Sequence, residues 1–186
     1  MNGTPDHLTL EQFIFEMGSQ PVEQLTHDRL MALTGRLQLS ADLIESRTCF
    51  GRDKYSRNLI CRTPAFELLV LCWKPGHEST IHDHVGALNA ISVHRGELTS
   101  RIFVSATGVP AGGGPVVLDH TSTFLPGQGW TGVDRDGIHQ LANTGGEDLV
   151  TVHVYAPALM TLNVYSPDSS KVELQPLRYT LAEDLD

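Results

Sequence analysis

Residues 75–96 read PGHESTIHDHVGALNAISVHRG, and the spacing inside this stretch decides the fold. It carries four of the chain's nine histidines: His77, His82, His84 and His94. On a β-strand, residues i and i+2 point to the same face. His82 and His84 can therefore converge on one point while Asp83 turns away. Read outward from Gly76, the pattern is G-x5-H-x-H-x4-N-x6-G, closing at Gly96. No glutamate stands between the paired histidines and that glycine.

This pattern resembles the first motif of the cupin superfamily, in which a glutamate usually stands at the position of Asn89. Downstream, HQLAN gives His139-x3-Asn143, similar to the end of the second cupin motif, although DRDGIH lacks the usual Pro-x-Gly. His139 thus joins His82 and His84 as an expected metal ligand. Three neutral imidazoles leave a divalent ion's charge uncompensated and one face of an octahedron open. An anionic substrate such as a thiolate, a soft ligand whose pKa falls on a metal, can supply that charge. Fe(II) suits such a face if the chemistry uses dioxygen. Zn, Ni or Mn suits hydrolysis or isomerisation, and residue types alone leave the choice open.

The flanks agree with a β architecture. Short β-rich runs recur from residue 55 onward: FELLVLCW, AISVH, ELTSRIFV, TSTFLPG, IHQLAN, DLVTVHVY, TLNVYS and VELQPLRY. Turn signals separate them, among them KPG, HRG, PGQG and NTGGED, which suggests a sandwich or barrel. The glycine-rich PAGGGP reads as a hairpin tip and carries no GK[ST] signature of a phosphate loop. Before residue 50 the period is helical. Leu10, Phe13, Ile14 and Met17 form one stripe, Thr9 with Gln12 suits a capping box, and Gly18 suits a stop. Leu30, Leu33 and Leu37 form a second stripe, and Ser40 suits the cap of a third helix. The expected fold is mainly β: a cupin (jelly-roll) β-barrel over residues 51–186 with C-terminal strands, preceded by N-terminal α-helices within residues 1–50, all in a single domain.

Composition bounds the function. The 186 residues hold 13 Lys and Arg against 22 Asp and Glu, a formal charge of −9. That balance argues against a general nucleic-acid binder and against docking on anionic membranes. It leaves room for an anionic small molecule held by a local arginine. Cys49, Cys61 and Cys72 are odd in number and form no CxxC, which fits reduced thiols in a cytoplasmic protein. The N-terminus lacks a signal-peptide pattern, and the longest apolar run, LLVLCW, is too short to span a bilayer. Oligomeric state is unknown at this level.

Four ordered segments, YSRNLI, LCWKPGHESTIHDH, GIHQLAN and VHVYAP, together resemble cysteine dioxygenase, a thiol dioxygenase family of the cupin superfamily. The resemblance covers residues 55–157. It implies a mononuclear Fe(II) enzyme that adds both atoms of O2 to the sulfur of a small-molecule thiol, with iron on His82, His84 and His139. It also implies a carboxylate-binding arginine at Arg57, with Tyr55 beside it, and an active-site tyrosine at Tyr155 with partner His153. Thr151 stands where the family usually has serine. Arginine's planar fork can hold a carboxylate through two hydrogen bonds. Residues 151, 153 and 155 share one strand face, so hydroxyl, imidazole and phenol can form a row.

The departures are informative. Animal members carry, at the position of Asn89, a cysteine that crosslinks to this tyrosine. Asparagine cannot do so, and the chain is similar to bacterial members. Ala156 replaces the serine of a Ser-Pro pair at Pro157, which leaves the isomer of that bond open. A sister group that oxidises 3-mercaptopropionate carries Gln at the position of Arg57, so arginine favours cysteine; mercaptosuccinate is a further carboxylated candidate. Two other classes compete: a Zn, Ni or Mn cupin isomerase or hydrolase, and a non-catalytic binding cupin. The histidines His7, His27, His77, His94 and His120 have no such pattern, and Phe66, Trp73 and Trp130 read as packing aromatics.

Overall fold

A computed structural model describes residues 7–19, 21–106 and 115–181. The glycine-rich tip, apart from Pro115, and the acidic tail 182–186 lie outside the described residues. Among the described residues three short α-helices come first, and each begins as its sequence dictates. α1 spans Leu10–Gly18: the Thr9 hydroxyl accepts the Gln12 N–H at 3.3 Å while the Gln12 side chain accepts the Thr9 N–H at 3.0 Å. That reciprocal box satisfies two N–H groups which a helix start otherwise leaves without partners. α2 (His27–Thr34) is capped by Thr26 and α3 (Ala41–Ser46) by Ser40. Leu37 lies beyond α2, where it is buried and bridges to Leu8.

Eleven strands follow: β1 Ser56–Arg62, β2 Glu67–Trp73, β3 Ile81–Asp83, β4 Leu88–Arg95, β5 Leu98–Ser105, β6 Val116–Phe124, β7 Trp130–Thr131, β8 Ile138–Ala142, β9 Leu149–Ala156, β10 Thr161–Ser166 and β11 Ser169–Pro176. They form two antiparallel sheets, ordered β1-β2-β9-β4-β7 and β11-β10-β3-β8-β5-β6. β1, β3 and β7 go beyond the runs legible in the sequence. β1 opens with the polar Ser56, Arg57 and Asn58, and β7 is only two residues long. Conversely β11 ends at Pro176, so Leu177–Tyr179 of the run VELQPLRY lie outside the strand.

The first sheet is covered on both faces, which is why β2 reads as a near-continuous apolar run. Leu68, Val70 and Cys72 of β2, and Val150, Val152 and Val154 of β9, pack with Phe13, Met17, Leu30 and Leu33 of the helices. Alternate residues point the other way. Leu69, Leu71 and Trp73 of β2, Ile91 of β4 and Tyr155 of β9 join Leu98, Leu141 and Leu162 of the second sheet in an interior core. The helices therefore plug one side of the barrel and leave the interior to side chains of both sheets. Among the described residues, no helix is long and apolar enough to cross a membrane.

The motif's closing glycine has a structural reason. Gly96 turns β4 into β5 with φ +85°, in the left-handed region that favours glycine. A Cβ there would lie 2.7 Å from the Asp148 carbonyl oxygen and 2.9 Å from Leu149 Cα, both backbone atoms that cannot step aside. Gly96→Ala is expected to lower stability by more than about 2 kcal/mol, the left-handed penalty plus the clash, measured as a shift in the denaturant midpoint.

Candidate metal centre

His82 sits on β3, the short strand between β8 and β10, and pairs directly with His139 at the start of β8. His84 follows two residues later, beyond the strand end. These three histidines, predicted from different parts of the chain, come together. Their ring nitrogens lie within 4.8 Å of one another and all three side chains are buried. The Nε2 atoms of His84 and His139 are 3.0 Å apart. Two nitrogens about 2.1 Å from one ion at a right angle would stand about 3.0 Å apart, so the pair fits adjacent corners of a metal's coordination sphere. The His82 Nδ1–H donates to the Thr80 carbonyl at 2.8 Å, which leaves Nε2 as the lone-pair nitrogen.

Burial keeps these rings in the ligand-competent neutral form. Desolvation pulls His82 down to about 4, and His84 and His139, which also face neighbouring histidines, lie well below the usual histidine range. Among the described residues, no carboxylate joins the group. Asp83 is buried beside it but engaged elsewhere, accepting from Tyr165 Oη at 2.6 Å, Asn163 Nδ2 at 3.1 Å and the Val85 N–H at 2.8 Å. The donor set therefore fits a divalent ion bound by three neutral nitrogens, with its charge left for an anionic ligand to balance.

Beside the triad, the β9 pleat sets Thr151, His153 and Tyr155 in a row. Thr151 Oγ1 is 2.8 Å from His153 Nε2, and His153 Nδ1 is 3.1 Å from the Tyr155 hydroxyl. The Trp73 indole N–H donates to Thr151 Oγ1 at 3.0 Å, so the row continues onto β2. Trp73, read from sequence as packing alone, thus has a polar role, and its ring also stacks on Tyr55 at 4.2 Å. The sequence carries no signal for this role, because the partner is set by the β2–β9 register. Burial holds His153 neutral, down to about 3, and pushes the Tyr155 phenol well above its usual value. A protonated phenol beside a neutral imidazole can donate to Nδ1, with Nε2–H then donating to Thr151; rotated, it can donate toward the triad. The Tyr155 ring lies 5.4 Å from that of His84.

Asn89 stands in register with Tyr155 across β4 and β9. Its Oδ1 accepts the Val133 N–H at 2.8 Å, and its Nδ2 is buried without a partner. Cys72 lies on the opposite, helix-facing side of β2, away from Tyr155, and the Ala156–Pro157 bond is cis.

Arg57, predicted as a carboxylate anchor, is buried, with its guanidinium 5.5 Å from the Tyr155 ring centre. It already has a counter-ion. Arg57 Nη2 is 2.8 Å from Glu67 Oε1 and donates to the Leu159 carbonyl at 3.2 Å. Glu67, fully buried, was not legible as a site residue: at the edge of an apolar run it reads as an ordinary strand-end charge. Arg57 Nε is buried without a partner. Arg57 and Tyr55 open onto a cavity of about 450 Å³ walled also by Thr80, Leu177, Tyr179 and Thr180. A second cavity of about 370 Å³ reaches His139 from the side of Ile102, Phe124 and Val133. Among the remaining histidines, His77 accepts the Lys74 N–H in its turn, and His94 is half-buried beside Glu45.

The family described as "Cysteine dioxygenase type I" matches residues 23–168, which include every residue of the row and the triad. Cysteine dioxygenase type 1 of Danio rerio is 26% identical over 123 residues, covering 62% of this chain and 58% of the relative. The Rattus norvegicus protein is 27% identical over 118 residues, with the same coverage. The chain thus spans under two thirds of the length of these relatives. Among solved structures, TT1209 of Thermus thermophilus superposes with a TM-score of 0.50 at 14% identity, covering 62% of this chain and 94% of that one. At that identity the likeness concerns the fold, which is a cupin barrel with two antiparallel sheets and a few N-terminal helices.

The His153 value fixes a pH dependence. Its folded pKa is depressed, so the stability it contributes is fully present above the unfolded value of about 6.5 and is lost as pH falls toward about 3. Metal-free protein should lose stability more steeply below pH 6.5 than His153→Gln does, by up to about 1.4 kcal/mol per pH unit. Denaturant titrations of both proteins across that range check the slope. His139→Ala should also weaken binding of a divalent metal at least about 100-fold, read by competition with a chelator.

Proposed function

The chain belongs to the cysteine dioxygenase type I family, and from that premise we propose that it is a mononuclear non-haem Fe(II) thiol dioxygenase whose substrate is L-cysteine. In the reaction proposed, cysteine and O2 give cysteine sulfinate. Both oxygen atoms end on sulfur, which is oxidised by four electrons as dioxygen is reduced by four, so no organic cofactor is required. The observation that carries this reading is a carboxylate-free histidine triad next to the Thr151–His153–Tyr155 row. Three neutral ligands suit an ion that must take a thiolate, and a buried phenol suits a site that must orient a polar group beside it.

Bound at the triad, Fe(II) would supply the place where a thiolate and dioxygen meet. The chain's own residues do the rest. Arg57 provides the buried positive charge for the substrate carboxylate, and its unpartnered Nε is a donor free to meet it. Tyr55, stacked on Trp73, walls the same cavity. Tyr155 holds its proton at the phenol oxygen, within reach of His153 Nδ1, and can turn that proton toward a ligand at the triad. Thr151, held by Trp73, fixes the His153 ring. The free cysteines support a cytoplasmic setting.

Other carboxylated thiols, 3-mercaptopropionate and mercaptosuccinate, share the thiolate and carboxylate that this site addresses. An oxygen electrode comparing these two with cysteine and cysteamine ranks them. Iron-loaded protein should consume O2 fastest with cysteine; no consumption with any of the four would refute the reading. Arg57→Gln should raise KM for cysteine at least about tenfold more than for cysteamine, which has no carboxylate. Tyr155→Phe should lower kcat about 10- to 100-fold at unchanged iron content.

A further inference from the structure

Arg57 enters the cavity with its best donor already taken. Nη2 carries two protons, and both are engaged: one by Glu67 Oε1 at 2.8 Å, the other by the Leu159 carbonyl at 3.2 Å. Both two-pronged edges of a guanidinium include this nitrogen, Nε with Nη2 on one side and Nη1 with Nη2 on the other. An arriving carboxylate finds no two-pronged edge free; Nε is the donor left without a partner, and the guanidinium also neighbours the Tyr155 phenol. Glu67 in turn is held firmly. Oε1 also accepts the Leu159 N–H at 3.1 Å, and Oε2 accepts the Tyr179 hydroxyl at 2.5 Å. Its side chain is fully buried and lies across the sheet from Tyr155, in register with it.

We propose that Glu67 is a specificity-determining residue that competes with the substrate's carboxylate for Arg57; this rests on the thiol dioxygenase reading above. Two carboxylates drawn to one guanidinium in a buried site repel each other, so Glu67 limits how strongly the site prefers carboxylated thiols over those that lack the carboxylate. Its retention has a physical reason. Without it Arg57 would be a buried, uncompensated cation, and the Leu159 turn and Tyr179 would lose the acceptor that ties them to the cavity wall. Arg57 is fixed to that wall from its backbone as well: its N–H donates to Thr180 Oγ1 at 3.1 Å and its carbonyl accepts the Thr180 N–H at 2.7 Å.

The test is anaerobic calorimetry on iron-loaded protein, which reads binding without turnover. Cysteine and cysteamine are titrated into wild type, Glu67→Gln and Glu67→Asp, with folding checked by melting temperature. Gln keeps the shape and removes the charge. Asp keeps the charge inside the fold but draws it back from Nη2. In both variants the ratio of the cysteamine Kd to the cysteine Kd should rise at least about fivefold over wild type. A ratio that is unchanged or lower in a folded variant overturns the competition. A merely structural role would weaken both thiols alike and leave the ratio still. Wild type that binds neither thiol would overturn the dioxygenase reading and this inference together, whereas an unchanged ratio overturns the inference alone.

Discussion

The two-residue period of β9, paired along its whole length with β2 and β4, is the constraint on which the site depends. Val150, Val152 and Val154 face the helices, so Thr151, His153 and Tyr155 must face the interior. A slip of one residue would bury the valines in the barrel and press a hydroxyl, an imidazole and a phenol against the helical layer. The apolar demand of the helical layer therefore enforces the polar row. The same pleat acts on β2, where Val70 and Cys72 outside leave Glu67, Leu71 and Trp73 inside. Trp73 can then meet Thr151, and Glu67 can meet Arg57, across neighbouring strands.

Burial gives this arrangement its chemistry. Water would let the histidines protonate near neutral pH, but desolvation keeps His82, His84, His139 and His153 neutral and keeps Tyr155 protonated. A group of neutral nitrogens has no charge of its own to neutralise a divalent ion, so the selectivity of the site passes to whatever anion approaches. Near that approach the protein sets a buried cation, Arg57, and partly cancels it with Glu67. On the reading proposed, affinity for an anionic substrate would be shared between a metal position with uncompensated charge and an arginine with a partner.

Much of this was legible in the chain. Thr9, Gln12 and Ser40 announced their helix starts because capping depends on residues within one turn of each other. His82 and His84 announced a shared face, and resemblance supplied His139, Arg57 and Tyr155. What stayed hidden were contacts set by register between strands distant in sequence. Glu67 reads as a strand-end charge until β1 is laid beside β2, ten residues away, and Tyr179 is brought back by the C-terminal segment. Trp73 reads as core because its ring is core; only its indole N–H has a second task, and its partner is 78 residues away. β7 and β3 escaped because two or three residues carry no period.

The central claim is that a thiol sulfur and dioxygen combine at the three-histidine site. Mass spectrometry of the product formed by iron-loaded protein from cysteine under 18O2 tests it most directly. The account predicts a sulfinate carrying two labelled oxygens in the same molecule. A product with one label or none, or the disulfide alone, would contradict it.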